Sequence, residues 1–112
     1  MNRPTLILAA LAALCAAPAG AAVTKPSTIA CERPSHVLAL MDIAQRPRSD
    51  ANRDEFTNLR LALRDLGYCV EPPAGTRVTV VSRHESHLVE VILEGEVRRF
   101  FVMPTSIDWS AE

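Results

Sequence analysis

The chain lacks an excess of charge of either sign. Its 112 residues carry 12 Lys+Arg against 13 Asp+Glu, a formal net charge of −1. Arginines and acids are interleaved through both halves, and Lys25 is the single lysine. A nucleic-acid binder needs a basic stripe to neutralise phosphates, so DNA and RNA are not expected partners. The signatures of nucleophilic catalysis are also missing: there is no Gly-x-Ser-x-Gly elbow and no cysteine-protease motif. A membrane-spanning helix needs about 20 apolar residues. The one apolar run, Thr5 to Ala17, is ended by Pro18 and Gly20.

What is present at the start is a short positive segment, Met1-Asn2-Arg3, then that apolar run, then the small residues Ala19 to Ala22. This is the pattern of a secretory signal peptide over residues 1–22, and it predicts an exported chain, periplasmic or secreted, with no stable membrane span after cleavage. Leu14 before Cys15 departs from the small residue of a lipobox, so acylation is not expected. Cleavage would leave 11 basic against 13 acidic residues. Roughly 90 residues would remain, enough for one small domain with a modest core.

Cysteine is scarce, and the scarcity is informative. Of three cysteines, Cys31 and Cys69 would survive cleavage, and an even count in an exported chain predicts a disulfide. They stand 38 positions apart, so closing that loop is worth about 4 kcal/mol by the chain-entropy estimate.

Residues 23–30 are polar, contain Pro26 and carry no period, which predicts a flexible tether before a domain at 31–109. From Pro34, residues Val37, Leu40, Met41 and Ala44 fall at helical spacing. Val37, Ala39, Met41 and Ile43 also alternate, so a strand over 37–43 stays open, although the composition favours helix. Pro47 breaks the pattern. A second helix over about 52–66 is predicted by Asn52 and Glu55 in capping-box spacing, by the stripe Phe56, Leu59, Leu63, Leu66, and by Gly67 as its stop. Two such helices fold back as an antiparallel pair, which places Cys31 and Cys69 at its open end. Three strands follow, at 76–82, 87–93 and 97–103, with a tight turn at Glu94-Gly95. The fold expected is therefore α+β: a disulfide-stapled antiparallel helical hairpin followed by a three-stranded antiparallel β-meander, with Trp109 covering one edge of the core.

Gly75-Thr76-Arg77-Val78-Thr79-Val80, then Val91-Ile92-Leu93, the Gly95 turn and Phe101-Val102-Met103-Pro104 resemble the latter part of a bacterial SH3-like domain. The resemblance covers residues 75–107, with Leu88 where the family usually carries Trp. It implies an extracytoplasmic module that binds cell-wall glycan or peptide.

Two clusters are candidate sites. His84-Glu85-Ser86-His87 holds two histidines three apart in a loop, whereas the helical zinc motif needs them four apart. A third ligand such as His36 would have to come from elsewhere, so neither metal nor cofactor is expected. In the third strand, Arg98, Arg99, Phe100 and Phe101 alternate one Arg and one Phe per face, and these residue types anchor interfaces when the strand is an edge. The function expected is a small exported binding module without catalysis, its partner a cell-envelope protein or a cell-wall glycan or peptide. The alternative is a secreted or periplasmic enzyme inhibitor or immunity-type protein acting through a loop such as 83–87, with His84, Glu85 and His87 in contact.

Overall fold

The computed structural model describes residues 22–83 and 87–109. The signal-peptide expectation, apart from Ala22, and the candidates His84 and Glu85 lie outside the described residues. The elements in chain order are β1 (Val23–Thr24), β2 (Ala30–Cys31), α1 (Pro34–Ala44), α2 (Asp50–Asp65), β3 (Cys69–Val70), β4 (Val78–Arg83), β5 (Val89–Leu93), β6 (Arg99–Val102), a 3₁₀ turn (Pro104–Ser106) and β7 (Ile107–Asp108).

The class is α+β, but the expected arrangement is corrected: the sheet is not a three-stranded meander. It has five antiparallel strands in the order β3-β2-β6-β5-β4, beside a two-stranded β1-β7 ribbon. The strands missed are two residues long, too short to show a period of two. The tether expectation is corrected with it, because residues 23–30 supply β1 and the first residue of β2. Their polar residues are built in: Thr24 and Thr28 are buried. Thr24 Oγ1 donates to the Pro73 carbonyl at 2.8 Å and accepts from Thr76 N–H at 3.1 Å. Thr28 Oγ1 donates to the Lys25 carbonyl at 2.7 Å.

The ribbon is joined to the larger sheet. Val23 bridges Arg77, Thr24 N–H donates to the Thr76 carbonyl, and Val78 N–H donates to the Ala22 carbonyl. The sheet thus curls, and Ala30, Val78, Val91, Phe100, Val102 and Ile107 meet in one inner core. The helices cover the other face, where Val37, Leu40 and Leu63 pack with Leu88, the two cysteines and half-buried Phe101.

Residues 37–43 are helical, which resolves the open alternative. Pro34 takes the first helical position, where its missing N–H costs nothing. The buried face is Val37, Leu40 and Ile43, and Ala44 is exposed. Helix α2 starts two residues before the expected position. Its N-cap is Ser49, whose Oγ accepts from Asn52 N–H at 3.1 Å. Asn52 instead donates its side-chain amide to the Pro47 carbonyl at 2.7 Å, and Glu55 turns to Arg46. At the far end Gly67, at φ 81°, supplies the left-handed residue. Gly67 N–H bonds the Arg64 carbonyl and Tyr68 N–H the Leu63 carbonyl, both at 3.0 Å, the paired bonds of a Schellman stop. Leu66, expected in the apolar stripe, is the C-cap residue and is 68% exposed.

The disulfide joins Cys31 to Cys69, which are direct partners across β2 and β3. Both are buried. Cys31 also pairs with Phe101 of β6, so the staple closes the helical hairpin and sets it on the sheet in one place.

Thr24→Val is expected to destabilise the fold by about 1–3 kcal/mol, the usual cost of leaving buried partners unsatisfied. Urea unfolding measures it; a tether residue would give no shift in midpoint.

Candidate functional site

Strand β6 lies between β2 and β5 and is not an edge. Phe100 has no exposed surface. Phe101 is half-buried against the helix-side cluster. Arg98 pairs with Glu32 and, at 3.3 Å, with Glu96, and lies 5.0 Å from the centre of the Phe100 ring. Hydrogen bonds to Glu96 and then to Glu32 raise the pKa of its guanidinium above the ordinary value. Arg99 reaches Glu90 at 4.0 Å. The central position of β6 thus separates the four residues: one ring enters each apolar cluster, and the two guanidinium groups go to carboxylates. His87 is exposed with φ 70°. The His36 ring packs 5.1 Å from that of Tyr68. Among the described residues no group of three His, Cys, Asp or Glu is placed to hold a metal ion.

The sheet has two edge strands, β3 and β4; β3 is only two residues long, and β4 beyond Val78 pairs with no strand on its outer side among the described residues. Val80 and Val81 are exposed on β4, but this edge is defended. The register slips between Val80 and Ser82, a bulge that puts Val81 out of the ladder. Arg83 then pairs opposite fully buried Val89 and places its guanidinium 5.5 Å from the centre of the Trp109 ring. Bulges and charged side chains on the edge strand are devices that stop edge-to-edge association, and Arg83 is exposed there. Trp109, expected to cover one edge of the core, lies at this rim, 41% exposed, with Nε1 donating to the Pro104 carbonyl at 3.3 Å.

A concave feature lies at the elbow between the helices. Pro47 ends α1 and Ser49 caps α2, leaving a cleft of about 300 Å³. Buried Ile43 and half-buried Phe56 form its floor, and Ala44 and Pro47 its apolar sides. Arg46, Arg48 and Arg53 rim it with Ser49 and Asn52, and no carboxylate lines it.

The three guanidinium groups differ in what they are free to do. Arg46 donates to Asp42 at 2.9 Å and to Glu55 at 2.7 Å, which clamps α1 to α2. The hydrogen bond to Asp42 and the charge of Glu55 hold its pKa above the ordinary value. Arg53 reaches only Asp50, at 3.7 Å, with side chains 75% and 94% exposed; such a pair is worth little. The Arg48 side chain has no ion pair or hydrogen bond among the described residues. An apolar floor under a cationic rim can hold an anion that carries an apolar group.

In the sequence Pro47 reads only as a break in the helical pattern, which does not reveal this site. The available signal was three arginines within eight positions, set around a proline between two amphipathic segments.

Arg83→Val is expected to remove the edge defence and raise the apparent mass with concentration in light scattering. Identical behaviour of variant and wild type at every concentration would show that Arg83 does not protect the edge. No protein-family model, no curated protein and no solved structure matches this chain.

Proposed function

We propose that this protein is a small exported binding module of the cell envelope, without catalysis, which engages a protein or cell-wall partner through the elbow cleft. The observation that carries the reading is the cleft itself: an apolar floor, a cationic rim and one arginine with no partner among the described residues, on helices stapled to the sheet. Two further observations support it. Cys31 and Cys69 are buried in their bridge, so neither is available as a nucleophile. The disulfide is at home in an oxidising compartment, and no helix among the described residues is long and apolar enough to cross a membrane. The pattern of residues 1–22 adds the export route, and the SH3-like resemblance of residues 75–107 adds the class of module.

The test compares capture from envelope extract and from isolated cell wall by the wild-type protein, by Arg48→Glu, and by the double variant His84→Ala with Glu85→Ala. Retention of one stoichiometric partner by the wild type and the double variant, and its loss in Arg48→Glu, is the expected result. Loss confined to the double variant would move the contact to the 83–87 loop and favour the inhibitor reading. Capture of nothing by the wild type would overturn the binding-module reading.

A further inference from the structure

The chemistry of the elbow cleft defines a narrower class of occupant. We propose that it takes the C-terminal residue of a partner polypeptide, with an apolar side chain on Ile43 and Phe56 and the free carboxylate toward Arg48 and Arg53. This rests on the reading of the domain as a binding module.

Charge gives the first step. Arg46 is committed to Asp42 and Glu55. Arg53 is held loosely at 3.7 Å, and Arg48 is unpaired among the described residues. Two forked cations without a carboxylate in the lining match a planar anion, which the guanidinium group binds with two parallel hydrogen bonds.

Shape gives the second step. The cleft, at about 300 Å³, is at the lower limit of ligand pockets, so it suits one residue-sized group. Its lining combines buried Ile43 and half-buried Phe56 with exposed arginines. An inorganic phosphate has no apolar part to cover that floor. An Asp or Glu side chain would put its charge where the apolar group belongs. A chain terminus carries the carboxylate and the apolar side chain on the same carbon, which satisfies both surfaces together.

Openness gives the third step. Ala44, Arg46, Pro47, Arg48, Ser49 and Arg53 are all exposed, so a free small acid would leave much of its surface in water and gain little. A free amino acid would also bring its ammonium group beside the arginines. The end of a chain has an amide in that place, and the preceding residues continue over the rim.

The experiment uses the oxidised protein recovered after export, titrated with four probes and followed by backbone and methyl chemical shifts. The probes are an acetylated glycine-serine peptide ending in leucine with a free carboxylate, its C-terminal amide, the same peptide ending in glycine, and N-acetyl-leucine. The leucine carboxylate peptide should give saturable shifts at Ile43, Ala44 and residues 46–53. The amide and the glycine peptide should each bind about tenfold or more weakly, the loss expected when a charged hydrogen-bonded partner or a buried side chain is removed. Arg48→Glu should lose the response at an unchanged melting temperature, while Val97→Ser, at a residue 95% exposed on another turn, should keep it.

Equal binding of carboxylate and amide, or shifts that map elsewhere, would overturn the proposal. So would binding of N-acetyl-leucine as tight as the peptide, which would make the occupant a free carboxylic acid. No saturable response to any probe, with Arg48-dependent capture from the envelope intact, sinks this occupant and leaves the binding-module reading standing. Peptide binding without envelope capture does the reverse.

Discussion

The constraint on which the rest of the structure depends is the covalent pairing of Cys31 with Cys69. Strands β2 and β3 are two residues each, and a ladder that short does not persist in water by itself. The bridge makes the pairing permanent and sets it against Phe101 at the centre of the sheet. The chain enters α1 two residues after β2 and returns from α2 through the Gly67 stop directly into β3. Both ends of the helical hairpin are therefore fixed at one point. The Arg60–Glu71 ion pair at 2.7 Å, part-shielded from solvent, holds the last turns of α2 to the segment after β3. With its open end stapled, the hairpin projects the elbow at its closed end, and the cleft follows from how that elbow is held.

At the elbow the same residue type does different work through its partners. Arg46 connects an acid on each helix and shapes the cleft from outside. Asn52 holds the Pro47 carbonyl and Ser49 caps α2, so the connection is tied to the second helix at two points. Arg48 stands between these fixed points without a partner among the described residues. Elsewhere several arginines have partners: Arg98 and Arg99 reach carboxylates, and Arg83 lies over the Trp109 ring. A near-neutral chain can thus present local positive charge, because the pairing of individual groups decides what a surface offers.

Much of the helical half was legible in the sequence. Pro34, Gly67 and the stripe Phe56, Leu59, Leu63 act through local backbone and periodicity, and the two cysteines follow from counting. The strands of β4 to β6 were legible because their β-branched runs exceed three residues. What escaped depends on long-range pairing. Ala30–Cys31 and Val23–Thr24 become strands only because Val70, Phe101, Asp108 and Arg77 stand opposite them. Thr24 and Thr28 look like solvated residues until Pro73 and Ser106 arrive from far along the chain. The same dependence made β6 seem a possible edge: β2 adds to its open side, and Phe100 is enclosed. The cleft was hidden for a related reason. The difference between Arg46 and Arg48 is set by Asp42 and Glu55, which local pattern does not connect to the turn.

Native-state hydrogen exchange tests most directly whether the bridge holds the elbow on the sheet. In the oxidised protein, amides of α1 and α2 and amides of β5 should share one opening free energy, because the hairpin opens only with the whole fold. In the Cys31→Ala, Cys69→Ala double variant the helical amides should fall below those of β5, as the hairpin gains an opening of its own. Helices that already open below β5 with the bridge intact would contradict the central claim, and the cleft would then not be a preformed site.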